Sequence, residues 1–459
     1  MPEPIAVKSD RPTVLMADAA THHGEFKIVP PANGAKRFHV SRWTREDERF
    51  TWVVDSPGAA EYDVTLLVAG KDAEVALGTE GSSPGRAALT VEVNGPWDRV
   101  SLGRLPLRKG RNTITLTAPK PGTNLELYSV ELIDPELKER LEQEAVRLRS
   151  DTSWMRKAGY GVQFHWTSMS QPRSGKRLPY ADAVKNFDVR RFAEIVRETG
   201  AEYVILTTSH AEYFFPAPIK AIDRIMPGRT TPHRDLIGEL IEALAAVGAR
   251  LILYYHVGHD HAREPGGWWE RCGFDANQPE TFLRNWESIV GEVGERYGEG
   301  LAGWFFDDGC VYYPLNPDFK RMTQIAKAGN TGRVICYNPW IWPRFTDFQD
   351  YFCGEGYHWL HVTDGLPADG SGVFQSGPQK GLQAHCNFIL ERDWGHFVAD
   401  APIPPPAVDL DTFLSDMRNA VERGIVPSVN MEIYQDVGVS DASLDYMRAL
   451  KMSVERARE

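Results

Sequence analysis

Polar and acidic side chains follow apolar segments at several points from His165 onward. Five segments end in such groups, namely His165-Trp166, Ser209-His210-Ala211-Glu212, Tyr254-Tyr255-His256, Phe306-Asp307-Asp308 and Gly354-Glu355. Two carboxyl groups on either side of a sugar are what glycoside hydrolysis requires. One attacks the anomeric carbon, and the other protonates the leaving oxygen and then deprotonates water. The pattern predicts Asp307 as the nucleophile and Glu355 as the acid/base.

Two further carboxylates are alternatives for these roles. Asp308 is adjacent to Asp307, and alternation along a strand would bring only one of the two into a shared site. Glu432 follows the last apolar segment and is the alternative acid/base. The non-catalytic interpretation of Asp307 and Glu355 is that they cap loops or form ion pairs.

The other polar and aromatic side chains at these segment ends are candidates for holding a sugar. They are His165, Trp166, His210, Glu212, Tyr255, His256 and Glu432. An imidazole such as that of His256 offers both a donor and an acceptor to a sugar hydroxyl. The nearby His259, Asp260 and His261 could suggest a metal, but His-x-x-His is not the i, i+4 spacing of helix-borne zinc ligands. We expect neither a metal nor any other cofactor. Trp268-Trp269 fits core packing and a sugar platform equally well.

Strands alternate with amphipathic helices from about Tyr160 onward. The predicted strands are Gly161–His165, Glu202–Thr207, Arg250–His256, Leu301–Asp307, Arg333–Asn338, Tyr351–Glu355, Gly381–Ile389 and Val426–Ile433. The predicted helices between them include Val189–Thr199, Arg234–Val247, Pro279–Tyr297 and Asp411–Glu422. This α/β pattern predicts a TIM-like (β/α)8 barrel, in which the active site forms at the carboxyl ends of the strands.

The first part of the chain has short strands with no helices between them. These are Phe50–Val54, Tyr62–Val68, Ala87–Val93, a segment from Arg99, Thr113–Thr117 and Leu125–Leu132. Such a series predicts a small all-β sandwich, and Asn94-Gly95 predicts a hairpin turn. We therefore expect a sandwich at residues 1–134, a connecting helix at 135–150 and the barrel at 151–459.

The barrel segments resemble the α-L-fucosidases of glycoside hydrolase family 29. The resemblance is carried, in the expected order, by Gly159-Tyr-Gly-Val-Gln-Phe-His-Trp166, Ala201-Glu-Tyr-Val-Ile-Leu-Thr-Thr-Ser-His210, His233-Arg-Asp-Leu-Ile-Gly-Glu-Leu240, Arg250-Leu-Ile-Leu-Tyr-Tyr255, Leu301-Ala-Gly-Trp-Phe-Phe-Asp307, Asp350-Tyr-Phe-Cys-Gly-Glu355, His385-Cys-Asn-Phe-Ile389 and Trp394-Gly395. It covers about Tyr160 to Leu450 and is specific as a series. It implies that Asp307 is the family's nucleophile and that Glu355 is the acid/base of some members.

Three positions depart from the family's pattern. Ala211 stands where the family has the second of two histidines, and Thr167 stands where it has glycine. Pro339-Trp340 replaces the family's Arg-Trp, which removes an arginine that lines the sugar pocket and leaves Trp340 as a candidate sugar contact. These departures predict weak or absent activity on aryl α-L-fucosides and leave the hydrolytic carboxylates in place.

The front domain resembles carbohydrate-binding modules of families 6 and 35. The matching stretches are Gly58-Ala-Ala-Glu-Tyr-Asp-Val-Thr-Leu-Leu-Val68, Gly110-Arg-Asn-Thr-Ile-Thr-Leu116 and Leu127-Tyr-Ser-Val-Glu-Leu132. Trp43 and Trp97 are candidates for contact with a sugar. A domain that only packs against the barrel is the alternative role.

Composition and charge exclude several classes of partner. The 459 residues carry a net charge of −12, and binding to nucleic acid needs clustered cations, so we expect no nucleic-acid partner. No apolar stretch is long enough to span a bilayer, so no membrane partner is expected. The five scattered cysteines indicate a reducing compartment. With no secretory signal visible, the expected location is cytoplasmic, and secreted or periplasmic is the alternative.

Three functions follow from these features. The leading one is a retaining exo-α-glycoside hydrolase that resembles α-L-fucosidases and takes an oligosaccharide or glycoside as its substrate. The second has the same mechanism on another sugar, such as a galactose- or arabinose-type glycoside. The third is a catalytically inactive carbohydrate-binding protein, although two nearby carboxylates that repel each other bring little to a binder. The sequence indicates no oligomeric state.

Overall fold

The computed structural model describes most of the chain. The described residues are 3–25, 27–29, 39–41, 48–79, 89–117, 124–210, 212–257, 267–273, 280–307, 309, 312–339, 343–354 and 365–458. The chain folds as two compact units. The first comprises residues 1–147 with 310–320 and 341–347, and the second comprises the rest of the chain. The boundaries expected at residues 134 and 150 stay a prediction.

Ten strands of the first unit are described. They are β1 Ile5–Ala6, β2 Thr13–Met16, β3 Thr21–His23, β4 Lys27–Val29, β5 His39–Ser41, β6 Arg49–Ser56, β7 Ala60–Thr79, β8 Leu89–Leu107, β9 Gly110–Thr117 and β10 Asn124–Ile133, followed by the helix α1 Pro135–Leu148. The strand order is β1-β6-β9-β7-β10-β5-β4, with β2 on β10, β3 on β6 and β8 on β7. All pairs are antiparallel except β1 with β6.

Strand alternation and the length of β7 make this unit a sandwich. The first part of β7 pairs with β10, whereas its last four residues pair with β9. β7 therefore belongs to both layers. Alternate residues of the strands meet in one buried cluster, among them Phe50, Trp52, Val54, Val64, Leu66, Val68, Ile114, Leu116, Leu127 and Val130. The burial of these side chains is the main force that holds the layers together.

The hairpin predicted at Asn94-Gly95 is wrong. β8 runs through both residues without a turn, and it pairs with β7 on both sides of them, as Gly70↔Gly95 and Ala73↔Val93 show. A two-residue turn would instead pair the two halves of β8 with each other. The chain accommodates the position as a register shift opposite Gly70 to Ala73, the kind of irregularity that a β-bulge produces.

The second unit contains eight parallel strands. They are β11 Gly161–Phe164, β12 Tyr203–Ser209, β13 Arg250–His256, β14 Leu301–Asp307, β15 Val334–Tyr337, β16 Tyr351–Gly354, β17 Gln383–Ile389 and β18 Val426–Asn430. Their order is β15-β14-β13-β12-β11-β18-β17-β16. These are the eight strands predicted from the sequence, so the (β/α)-barrel class is confirmed together with the sandwich before it.

The described helices of this unit are α2 Ser153–Ala158, α3 Tyr180–Asn186, α4 Val189–Thr199, α5 Lys220–Ile225, α6 Leu236–Ala246, α7 Trp268–Arg271, α8 Glu280–Tyr297, α9 Phe319–Ala326, α10 Leu410–Glu422 and α11 Asp441–Arg458. Three of the predicted helices begin after an aspartate whose carboxylate accepts a backbone N–H three residues later. These N-caps are Asp188, Asp235 and Asp409. Such caps satisfy a donor that the first turn leaves open. No described helix is both long and apolar enough to cross a membrane.

Alternation along the strands fixes which side chains lie inside the barrel. The inward-facing cluster contains Tyr203, Ile205, Ile252, Tyr254, Phe305, Val334, Cys336, Tyr351, Cys353 and Val426. The intervening residues of β14 face the helices, since Trp304 donates to the Ala326 carbonyl and Phe306 packs on Trp286. The next inward positions toward the carboxyl ends of β13 and β14 are His256 and Asp307.

Side chains join β15 to β16, where the order of paired strands begins and ends. The Asp350 N–H donates to the Ile335 carbonyl at 2.8 Å, and the Ile335 N–H donates to Asp350 Oδ2 at 2.7 Å. The Tyr337 N–H donates to Gln349 Oε1 at 3.0 Å. Two backbone donors of β15 are thereby satisfied by side chains that precede β16, which closes the barrel at this seam.

A buried ion pair supports the seam. Lys327 Nζ lies 3.1 Å from Asp350 Oδ1, and it also donates to the Leu148 carbonyl and to Ser150 Oγ. The side chains of Lys327 and Asp350 are 5% and 1% exposed. Burial raises the pKa of Asp350 and lowers the pKa of Lys327, because it disfavours the charged form of each.

We predict that Asp350→Asn lowers the free energy of unfolding by about 3–5 kcal/mol, because Lys327 stays buried without its counter-charge. Lys327→Met in the Asp350→Asn background should restore part of the loss. The matched control is Asp445→Asn, which breaks the exposed pair with Arg448 and should cost about 1 kcal/mol or less. Thermal and urea unfolding measure both effects. If Asp350→Asn and Asp445→Asn lower the free energy of unfolding by the same small amount, the proposed role of Asp350 is contradicted.

Candidate active site at the carboxyl end of the barrel

Asp307 is the last residue of β14, and both of its carboxylate oxygens are held. The Tyr254 hydroxyl donates a hydrogen bond to Oδ2, and Asn338 Nδ2 donates to Oδ1 at 2.5 Å. His256 Nε2 lies 3.7 Å from Oδ2. The Asp307 side chain is 12% exposed. The carboxylate is therefore fixed in orientation, and the side chain stays partly exposed.

Three histidines surround Tyr254. His256 Nε2 lies 2.7 Å from the Tyr254 hydroxyl. That hydroxyl gives its one proton to Asp307, so the imidazole must be the donor in this pair. The His210 ring lies 4.4 Å from His256, and the His165 ring lies 5.1 Å from Tyr254, both between ring centroids. The predicted candidates His165, His210, His256 and Asp307 thus come together in one cluster.

Tyr254 and Asn338 are functional candidates that the interpretation of the sequence missed. Both follow from the alternation rule that separates Asp307 from Asp308, because Tyr254 shares the inward face of β13 with His256. Asn338 lies one position beyond β15, at the same height as the end of β14, since its N–H donates to the Phe306 carbonyl at 2.8 Å.

Two predicted sugar contacts face away from this cluster. Tyr255 is 1% exposed, and its ring packs on Trp304 on the helix side of the sheet. Trp166 is 2% exposed, lies between Tyr180 and Phe187, and donates from Nε1 to the Gln435 carbonyl at 3.1 Å. The geometry gives neither side chain a path to a ligand, because each lies one residue past an inward-facing position.

Glu432 lies in a separate, buried carboxylate pair. Its N–H donates to Glu391 Oε2 at 3.0 Å, and its Oε2 lies 3.3 Å from His396 Nδ1. Burial raises the pKa of Glu391 to about 7 and also raises the pKa of Glu432, against the opposing effect of His396. One oxygen of the Glu432 carboxylate is therefore held by His396, and its raised pKa leaves Glu432 as the alternative acid/base.

The remaining predicted residues have varied placements. Glu212 is exposed and lines a cavity beside the imidazole cluster, that is, His165, His210 and His256. Glu355, Trp340 and Asp308 lie outside the described residues, as do the candidate metal ligands His259, Asp260 and His261. Trp268 is buried and stacks on Tyr213 with ring centroids 4.4 Å apart, which is core packing.

One of the two candidates of the front unit and four of the cysteines can also be placed. Trp97 is half-buried and meets Tyr128 edge-to-face, whereas Trp43 lies outside the described residues. The four described cysteines are buried free thiols. No group of three His, Cys, Asp or Glu side chains arranged to hold a metal occurs among the described residues.

Comparison with known proteins identifies a relationship in the barrel. Residues 180–359 match the family model described as alpha-L-fucosidase. Tissue alpha-L-fucosidase of Mus musculus is 32% identical over 133 residues, which is 22% of this chain and 29% of the relative. The resemblance to the α-L-fucosidase family is confirmed. The chain spans less than a third of the length of the curated relatives it matches.

Solved structures are similar to the chain as well. The α-L-fucosidase AlfC from Lactobacillus casei, in complex with α-L-fucose product, has a TM-score of 0.46 and 16% identity, covering 67% of this chain and 99% of that chain. A family 29 α-L-fucosidase from Bacteroides thetaiotaomicron has a TM-score of 0.48 and 17% identity, covering 67% of this chain and 74% of that chain.

The environment of His165 fixes its charge and its tautomer. Asn430 Nδ2 donates to the Asp393 and Trp394 carbonyls, so Asn430 Oδ1 faces His165 and accepts from its Nδ1 at 3.1 Å. Nε2 is then left as an acceptor. Burial lowers the pKa of His165 from 6.5 to about 4, so the ring is neutral at neutral pH.

We predict a pH dependence of stability that is specific to His165. Between pH 6.5 and about 4 the unfolded chain binds a proton at His165 that the folded protein does not. The free energy of unfolding should fall through this window as the pH drops, by about 3 kcal/mol from this group, and level off below it. Urea unfolding of the wild type and of His165→Gln across the window isolates the effect. Parallel curves for the two proteins would refute it.

Proposed function

We propose that this protein is a retaining exo-α-glycoside hydrolase that resembles α-L-fucosidases. The observation that carries the proposal is the Asp307 carboxylate, held through both oxygens by Tyr254 and Asn338 at the end of β14. The family match supports it, because residues 180–359 include these three residues as well as Glu355. The substrate is proposed to be an oligosaccharide or glycoside.

In this mechanism Asp307 attacks the anomeric carbon, and the glycosidic oxygen leaves with a proton from Glu355. The ester formed between Asp307 and the sugar is then cleaved by water, which gives its proton to Glu355 and its oxygen to the anomeric carbon. Tyr254 and Asn338 hold Asp307 in the orientation for attack. They donate to it again when hydrolysis of the ester releases it as a carboxylate. A retaining enzyme needs the two carboxyl groups about 5–5.5 Å apart, and this separation stays a prediction.

We predict that Asp307→Ala lowers kcat by several orders of magnitude without unfolding the barrel, because a covalent nucleophile is lost. Azide added to the variant should restore activity and give a glycosyl azide of inverted configuration. Asp308→Ala is the matched control. If Asp308→Ala is the inactive variant and Asp307→Ala retains activity, the assignment of the nucleophile is wrong.

The acid/base is assigned by its effect on the pH profile. We predict that Glu355→Gln removes the alkaline limb of kcat/KM and spares glycosides with very good leaving groups, since these need no proton. Glu432→Gln is the control, because Glu432 is buried against His396 and Glu391, and it should keep the alkaline limb. If the two variants behave the other way round, Glu432 is the acid/base.

The identity of the sugar that the site accepts is a separate question, and the residue at position 339 bears on it. Pro339 follows Asn338 at the rim of the site and replaces an arginine of the family pattern, which favours a sugar other than L-fucose. A panel of aryl glycosides of both anomers tests this point together with the proposed activity. Turnover of an α-glycoside other than the fucoside is expected. Turnover of the α-L-fucoside at about 10 per second would assign fucose instead. Failure of every glycoside would favour a catalytically inactive sugar-binding protein.

A further inference from the structure

A cavity of about 530 Å³ lies against the loops that follow β11 and β12. Three cationic side chains and one carboxylate line it, with two aromatic rings: Lys176, Arg177, Arg229, Glu212, Tyr180 and Phe214. Small-molecule sites have volumes of this order. The excess of positive charge contrasts with the net charge of −12 of the whole chain. In the described part of the chain, neither Lys176 nor Arg177 forms an ion pair.

Hydrogen bonds hold one wall of the cavity in place. Gln435, which is 4% exposed, pairs with the backbone of Leu178. Its Nε2 donates to the Leu178 carbonyl at 2.9 Å, and its Oε1 accepts the Leu178 N–H at 2.8 Å. The Gln435 N–H in turn donates to the Gln171 carbonyl at 2.8 Å. The segment that presents Lys176 and Arg177 is therefore fixed to the chain that follows β18.

Arg229 forms a second part of the lining. The Phe215 N–H donates to the Arg229 carbonyl at 2.8 Å. The Arg229 guanidinium lies 4.4 Å from the centroid of the Phe214 ring, which in turn lies 4.9 Å from the centroid of Tyr180. Stacking of this kind restricts a guanidinium to one plane and leaves its N–H groups able to bind a planar or tetrahedral anion.

The cavity is on the same end of the barrel as Asp307. Its lining residue Ser168 comes three positions after His165, and Glu212 comes two positions after His210. The His165 and His210 rings lie 6.1 Å apart, between centroids, in the imidazole cluster. In an exo-acting hydrolase the sugar that is removed occupies the barrel, so the leaving group must extend over the surrounding loops.

From this placement we propose that the cavity binds the leaving-group part of the substrate and selects a saccharide that bears an anionic group, a carboxylate or a sulfate. The cations supply the charge, and the Arg229 guanidinium, which lies over the Phe214 ring, presents its N–H groups to the anion. This inference rests on the proposed function, because it names the substrate class of the same site.

Selectivity for an anionic leaving group is tested with three aryl glycosides of the sugar found in the panel. They are the 4-nitrophenyl glycoside, its ring-carboxylated analogue and its ring-sulfated analogue. The measured quantity is the ratio of kcat/KM for each anionic glycoside to that of the neutral one, which cancels changes common to all substrates. In Lys176→Glu/Arg177→Glu the ratio should fall about tenfold, and in the wild type it should fall as salt is added.

Two further variants make the test specific to the cavity. Glu212→Gln removes the one lining carboxylate and should raise the ratio about two- to threefold. Lys157→Glu reverses an exposed charge on α2, before β11 and at the other end of the strand, and should leave the ratio as in the wild type. A response to only one of the two anionic glycosides supports the proposal and identifies the anion. Equal ratios in all four proteins, or an equal fall in Lys157→Glu, overturn it.

Direct binding separates this proposal from the proposed function. If no glycoside is turned over, saturation-transfer NMR is used with methyl glucuronide, methyl glucose 6-sulfate and methyl glucoside. Binding of an anionic probe over the neutral one, lost in Lys176→Glu/Arg177→Glu and kept in Lys157→Glu, supports the cavity although the hydrolase assignment has failed. Equal binding of the anionic and neutral probes, or no binding of any probe, overturns the proposal that the cavity selects an anionic saccharide.

Discussion

The arrangement of the barrel depends on the carboxylate of Asp350. One of its oxygens accepts the Ile335 N–H and so takes the place of a backbone hydrogen bond between β15 and β16. The other oxygen forms an ion pair with Lys327. β15 leads to Asn338, which holds Asp307, and β16 directly precedes Glu355. The strand that orients the proposed nucleophile and the strand before the proposed acid/base are thus joined by two buried side chains, those of Asp350 and Gln349. A charge so deep in the fold costs free energy unless it is paired, which is why Lys327 accompanies it.

Because the sheet closes into a barrel, the alternation of side chains along each strand decides which residues can reach a ligand. In a closed parallel barrel every second side chain faces the interior, so the residue type at one position determines whether it can reach a ligand. Tyr254 and Tyr255 have the same chemistry and adjacent positions, yet one holds Asp307 and the other packs on Trp304. The same step of one residue separates His165 from Trp166. The site is therefore a consequence of register as much as of composition.

Sequence reasoning predicted best where a local rule acts alone. The helices capped by Asp188, Asp235 and Asp409 and the eight apolar strands follow from periodicity and from open backbone donors. It failed where pairing with a segment distant in the sequence determines the local structure. At Asn94-Gly95 the turn propensity is overridden because both halves of β8 pair with β7. The Asp350 seam could not be foreseen either, because its partners Ser150, Lys327 and Ile335 are brought together only by the closed barrel.

The charge of the site fits the chemistry proposed for it. Neutral donors hold Asp307, since Tyr254 and Asn338 carry no charge, and burial keeps His165 neutral above about pH 4. A carboxylate bound to an arginine or a lysine would have much of its charge compensated before any substrate arrives. Glycoside cleavage develops positive charge at the anomeric carbon in an oxocarbenium-like transition state. A carboxylate that is oriented by neutral donors keeps its full negative charge until the transition state forms. The hydrogen bonds that position Asp307 therefore also preserve the electrostatic attraction that would lower the barrier.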